Sequence, residues 1–297
     1  MKFPSTAAFH GYRPAAWLRV TGADAAEFLQ GQFTNDVRLA QGDAAVYGLW
    51  LDQKGKALAD SFIGHGSAPD EFWIASVTSS GEAIRRRLED YIIADDVVVE
   101  NVADGAAAVT LLGEGAGAWL ASAPRIGRFF RGRRTSGENW EWIFPSSAAA
   151  AVATELAGAT ELGAGEVDRR RILAGIPAVP ADIGPADLPN EGGLDTDGIS
   201  YTKGCYLGQE VMARLKSKGR IRRRLRRVIG SGPAPTVPAV LWQGESKMGE
   251  LRSAAPDATA TGFVGLALLS LAGLRPEIPL AWSAGGPAIA RCDGPLA

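Results

Sequence analysis

Cys205 stands in the stretch YTKGCYLGQE, residues 201–210, two positions after Lys203, with Gly204 and Gly208 around it and Arg214 shortly beyond. Positive charge near a thiol lowers its pKa and raises the fraction of thiolate, and glycines let backbone N–H groups approach a sulfur or a ligand. A cysteine that only fills a core needs no such neighbours, so Cys205 is the candidate functional thiol. The chain holds two histidines, His10 and His65, both far away in sequence, so a Cys–His hydrolase pair has no partner within the stretch. The one other cysteine is Cys292, and four-cysteine ligation of an iron–sulfur cluster is impossible within a single chain. No zinc-type spacing occurs, and no resident metal is expected.

Three further motifs invite a chemical reading. GEGAGA, residues 113–118, satisfies the letters of a dinucleotide-binding turn, but no run of βαβ units surrounds it and no acidic residue ends a second strand at the required distance, so it reads as a tight strand-to-helix turn. DTDG, residues 195–198, lacks the later ligands of a calcium loop and reads as a turn. In KSKGRIRRRLRR, residues 216–227, eight of twelve residues are basic. As a strand this run would put every even-numbered cation on one face, fit for a phosphate backbone or a polyanionic small molecule; the plainer reading is a solvated edge strand. No aromatic residue interleaves with the run, which speaks against single-stranded nucleic acid.

The elements that must position these residues alternate irregularly. GADAAEFLQGQFTNDV, residues 21–37 with its leading threonine, predicts a short helix running into the polar loop Thr34, Asn35, Asp36. Two strands follow around the turn at Gln53, Lys54 and Gly55, then a third through Trp73, Ala75 and Val77. Ile84, Leu88, Tyr91 and Ile92 make one apolar stripe with Arg85, Arg86 and Glu89 on the wet side, which predicts a helix over 79–91. His65, between Gly64 and Gly66, reads as a loop residue. Past about residue 227 the chain changes character: Pro233, Pro235 and Pro238 lead into short strands with Gly and Pro turns. The expectation is an α+β fold with a largely antiparallel sheet over residues 1–227, followed by a small β-barrel over 228–297.

At 297 residues the chain can bury a large core, and its formal charge of −2 sets up no global field for nucleic acid or an anionic membrane. Cysteine usage suggests a reducing, cytoplasmic setting, and the first residues lack a signal-peptide core. The uncharged run over 258–274 approaches membrane-spanning length, but its threonines and glycines make it a strand and a turn.

KGCYLGQE, residues 203–210, resembles the signature of the YgfZ family, folate-binding proteins of the glycine-cleavage T-protein superfamily linked to iron–sulfur cluster assembly and repair. Residues 22–37, RILAGIP and GELRSAA resemble further segments in the same order. The resemblance implies a tetrahydrofolate site at the centre of the α+β part, a barrel packed against it, and iron–sulfur client or carrier proteins as partners of a monomer. It implies Glu191, in PNEGGL, as a pterin contact; a carboxylate can accept two parallel hydrogen bonds from an aminopyrimidine edge. Asn35, from TNDV, is a second expected contact, with Lys203, and with Arg214 and Arg223 chosen on charge to meet the glutamate tail. The superfamily's aminomethyltransferases carry an Asp–Asp pair where this chain has Ala59 and Asp60, so Asp60 is the working carboxylate only under a transferase reading. RNA binding through residues 216–227 is a third and weaker reading.

Overall fold

The computed structural model describes residues 3–42 and 44–293. The chain opens with strands β1 (Ala8–Tyr12) and β2 (Ala16–Thr21) and helix α1 (Ala25–Gln32), then a meander of β3 (Ala45–Leu51), β4 (Ala57–His65) and β5 (Glu71–Ser76). Helix α2 (Gly81–Glu89), β6 (Val98–Asn101), β7 (Ala106–Leu112), α3 (Ala116–Leu120), β8 (Arg128–Arg131) and β9 (Asn139–Pro145) follow. Helix α4 (Ala149–Glu155), the two-residue β10 (Thr160–Glu161), α5 (Ala164–Leu173) and α6 (Gln209–Lys218) lead to β11 (Arg223–Ser231), β12 (Ala239–Gln243), β13 (Ser246–Pro256), β14 (Gly262–Ser270) and β15 (Ala290–Cys292).

Three five-stranded sheets result, ordered β3-β4-β5-β2-β6, β10-β1-β7-β9-β8 and β12-β13-β14-β11-β15. Their ladders are antiparallel except for the short β1–β10 pair. Alternation along the strands sorts side chains between two cores. In the first sheet Leu18, Trp50, Ile63 and Ile74 pack under α1 and α2, while Leu49, Phe62 and Trp73 face a second core. That second core also takes Ala108, Phe130 and Ile143 from the second sheet, and Val179, Ile183 and Leu194 from the segment after α5. The second core is therefore where the first two sheets face each other.

The predicted helix over 79–91 forms as α2: the Ser80 hydroxyl accepts from the Ala83 N–H at its N-terminus, and Ile84 and Leu88 are buried. The hairpin at residues 53–55 also forms, with Asp52 accepting from the N–H groups of Lys54 and Lys56. The glycine motif is a turn into a helix of five residues. Glu138 accepts from the N–H groups of Gly115 and Gly117 at 2.9 and 2.8 Å, so the chain's own carboxylate fills the place a phosphate would need.

Three expectations are corrected. His65 closes strand β4 and packs its ring, tilted, against Phe72. The basic run is not one strand: Lys216 and Lys218 end α6, and only from residue 223 does the chain enter β11, so the alternating basic face over 216–226 does not form. Lysines in the last turn of a helix interact favourably with its dipole, which outweighs the strand pattern there. The carboxy-terminal part is an antiparallel sheet curled into a half-barrel; isolated bridges through Leu280 and Ala281 reach Ala290 and Trp242 at its edges without a continuous ladder. Position 227, the expected division, lies inside β11.

Candidate functional site

Asp60 sits on the inner face of β4, one register step from Phe62, because Ala59, Ser61 and Ile63 alternate to the helix side. Its carboxylate accepts from the Tyr47 hydroxyl at 3.0 Å, from Ser79 at 2.8 Å and from Ser76 at 3.2 Å. Burial pushes Asp60 above the usual carboxylate range, against the opposing effect of the Ser79 and Tyr47 hydroxyls and the Arg133 guanidinium. Burial, followed by the Asp60 charge, raises Tyr47 well above an ordinary phenol.

Asp60, Tyr47 and Phe62 form one wall of a cavity of about 130 Å³. Arg133 and Arg134, from the β8–β9 connection, and His10, from β1, form others, with α5 and residues 176–178 closing it. Arg133 lies over the Tyr47 ring, its Cζ 3.8 Å from the centroid, and holds Asp197 through two nitrogens at 3.0 and 3.1 Å. Apolar rings beside a few fixed polar groups are the usual make-up of a small-molecule site. None of His10, Tyr47, Arg133 or Arg134 was singled out as a site residue from the sequence, since each owes its place to a strand or loop distant in the chain. The one available signal was a cluster of arginines between the aromatic strands RFF and WEWIF.

Cys205 is exposed and does not line this cavity. Its loop is held by Lys203, whose ammonium donates to the carbonyls of Gln30 at 2.6 Å, Phe33 at 2.6 Å and Asn35 at 2.9 Å. Two of these belong to the end of α1, whose last turn carries no basic residue of its own. Lys203 supplies the missing cation at that helix end from far along the chain. All three ammonium donors face the chain's own carbonyls, so Lys203 is a staple with no donor left for a ligand or for the thiol. Burial, together with Arg38, pushes its pKa down to about 8, with Asp36 opposing. The Leu207 N–H adds a bond to the Gly31 carbonyl, and Gly208, at φ +85°, turns the chain into α6 where a Cβ would stand 2.8 Å from the Asp52 carbonyl.

The other expected contacts separate. Asn35 donates to the carbonyls of Tyr47 and Asp197, tying β3 to the segment that leads to the cysteine. Glu191 and Arg223 come together with each other: the guanidinium meets both carboxylate oxygens at 2.9 and 2.8 Å, and the Leu188 N–H takes a further lone pair. Neither lines the cavity. Arg223 also reaches Asp187, which binds Arg252 of β13, so this network joins the half-barrel to the rest. Arg214 is exposed on α6.

A family profile described as the GCVT N-terminal domain matches residues 13–126. The fold is shared with the glycine cleavage system aminomethyltransferase T from Bartonella henselae, at a TM-score of 0.80 and 20% identity over 98% of this chain and 86% of that one. The chain is 30% identical over 275 residues to the iron-sulfur cluster assembly factor IBA57, mitochondrial, of Homo sapiens, covering 85% of this chain and 74% of the relative. It is 30% identical over 252 residues to the tRNA-modifying protein YgfZ of Vibrio vulnificus, covering 81% of this chain and 75% of the relative. With two such relatives matched over most of their length, the same fold as aminomethyltransferase T and the KGCYLGQE signature in place, this chain belongs to the YgfZ/IBA57 family of the aminomethyltransferase-like superfamily.

Proposed function

We propose that this protein is a tetrahydrofolate-binding auxiliary factor in iron–sulfur cluster assembly or repair, with Cys205 as its working thiol. The observation that carries the reading is the setting of that thiol: exposed, on a loop that Lys203 anchors to the carbonyls of Gln30, Phe33 and Asn35. An ordered, accessible thiol can meet a partner without first paying an ordering cost, and one cysteine can hold a cluster only if a client or carrier protein shares the ligation. The names of the human and Vibrio relatives support the coarser statement, a role in cluster assembly or tRNA modification.

For the folate, the cavity supplies a fit. Tyr47 and Phe62 offer ring faces, Asp60 a buried carboxyl, and the Nη2 atom of Arg134 is buried with no hydrogen-bond partner among the described residues. Such a set suits a flat heterocycle with a polar edge. Bound there, a reduced folate would supply one-carbon or redox chemistry; the chain's residues would bind and orient it, exclude water and hold a proton at Asp60. Asn35 would act from behind the wall by fixing Tyr47's strand, while Glu191, Arg223 and Arg214 would serve as contacts only for a tail that leaves the cavity.

We further propose a monomer working in the cytoplasm. Among the described residues no helix is long and apolar enough to cross a membrane. Two measurements test the reading. Tetrahydrofolate should bind in calorimetric titration, and Cys205→Ser should fail to restore cluster-dependent enzyme activities in cells lacking the native protein. Undiminished restoration would remove the thiol from the mechanism.

The placement of Asp60 on the cavity wall favours a second reading, folate-dependent aminomethyl or methyl transfer. It predicts turnover with a one-carbon donor that Asp60→Asn abolishes. Absence of turnover with any amine donor, alongside folate binding, would exclude it.

A further inference from the structure

The cations of the basic run stand apart from most of the chain's other charges. Arg214, Lys216 and Lys218 are exposed on α6, and Arg220 and Arg222 are exposed in the segment that leads to β11. None of the five forms an ion pair with a described residue, whereas Arg223 and Arg227, next along the chain, hold Glu191 and Asp293. From Cys205 to Arg222 these five cations meet one acid, Glu210, which leaves a local excess of positive charge in a chain whose net charge is −2. Arg214 and Lys218 also lie four residues apart on one flank of the helix, where like charges repel and helix stability alone would favour opposite ones. The basic face adjoins the cysteine loop: the Lys216 ammonium sits 3.8 Å from the centroid of the Tyr201 ring, and the loop runs through Gly208 directly into α6. A helix of 10 residues spans about 15 Å, so the exposed thiol and the five cations fit within one protein footprint of about 800 Å², roughly 30 Å across.

We infer that the basic face of α6 and the segment after it docks an acidic protein surface beside Cys205. The inference rests on the thiol reading proposed above and adds the chemistry of the partner, a protein whose contact face carries carboxylates around the group that Cys205 meets. Unpaired cations steer a surface of opposite sign into place and fix its orientation, while like-charged surfaces are turned away. A phosphate backbone fits less well. The cations do not line up along one strand face, Tyr201 is covered by Lys216 and offers no free ring for a base, and the chain as a whole carries net negative charge.

The test measures how charge selects what Cys205 meets, in the full chain with Cys292→Ser so that one thiol remains. The probes are two symmetric peptide disulfides, one with glutamates flanking the cysteine and one with lysines. The Cys205 thiolate attacks one sulfur and forms a mixed disulfide while the other arm leaves as a thiolate; dividing each rate by the same peptide's rate with β-mercaptoethanol cancels leaving-group differences. In low salt the acidic peptide should react about tenfold faster than the basic one, and the ratio should approach unity in about 1 M salt, where charges are screened within about 3 Å. Arg214→Gln, Lys218→Gln and Arg220→Gln together should shrink the ratio, and Glu at the same three positions should invert it, with cooperative thermal unfolding retained; if the Glu variant does not fold, the Gln variant decides. A starting ratio near one, or a ratio that these variants leave unchanged, overturns the docking face, and the thiol reading is then judged separately by whether Cys205→Ser restores cluster-dependent activities. Binding of unfractionated tRNA tighter than about 1 µM at physiological salt, lost in the same variants, would overturn the proposal in favour of nucleic acid.

Discussion

In the cavity wall Arg134 is buried beside Glu141, Arg133 pairs with the half-exposed Asp197, and the Asp60 carboxylate is held by three hydroxyls. The cysteine loop does the reverse: it exposes its thiol and buries a lysine against carbonyl oxygens that carry no formal charge. The cavity thus keeps its charges paired or hydrogen-bonded inside the fold, and the loop keeps one sulfur open to solvent on an anchored backbone. Residues 194–206 connect the two, since Asn35, Asp197 and Lys203 tie that segment to β3, to Arg133 and to the end of α1. The difference teaches that the cavity and the exposed thiol occupy separate places linked by a stapled segment, so the proposed binding and thiol roles can be tested apart.

The most damaging way to break the comparison is Lys203→Met. It leaves three carbonyls without their donor, which should cost about 3 kcal/mol or more in urea unfolding. The pH response sharpens the same point. Because the folded chain releases the Lys203 proton near pH 8 and the unfolded chain near 10.5, the unfolded state binds more protons between these values, and unfolding free energy rises with pH across that window. The rise should appear in wild type relative to Lys203→Met and be flat below about pH 7; a flat difference throughout would mean the ammonium is not desolvated in the folded loop.

Glu191→Gln comes next. It weakens a two-pronged pair, but Arg223 is 37% exposed and keeps Asp187, so a loss of about 2 kcal/mol is expected. If Glu191 acts as a joint between the half-barrel and the α+β part, tetrahydrofolate affinity measured at a temperature where the variant is folded should be unchanged; a loss of tenfold or more would return it to the ligand site. Asp197→Ala should cost least, about 0.2–1 kcal/mol, because Asp197 is 52% exposed. Its readout is kinetic: with Arg133 released from its latch over Tyr47, ligand dissociation followed by stopped-flow fluorescence should quicken. An unchanged off-rate would show that the latch does not guard the cavity.

Several parts of the fold were legible because local physics decides them. The stripe of Ile84 and Leu88 behind Ser80 specifies α2 wherever it is placed, and Asp52 with Gly55 makes a hairpin turn from hydrogen bonds within residues 52–56. The run over 216–227 was misread because alternation is also satisfied by a helix end followed by a strand, and only packing at residue 223 chooses where the strand begins. The half-barrel was expected as closed because short strands and turns fit either outcome; closure depends on how far edge strands curl, which no local pattern encodes.

The sequence by itself determined the α+β class, most of the secondary elements, the unusual setting of Cys205 and, through KGCYLGQE, the family. Tertiary structure alone decided that Lys203 turns inward to cap α1, that Glu191 and Arg223 answer each other, and that His10, Tyr47, Asp60, Arg133 and Arg134 share one cavity. The reason lies in range. Propensity and hydrophobic period act over a few residues, whereas a buried charge takes whichever partner the fold brings within about 3 Å, and those partners lie on elements far apart along the chain.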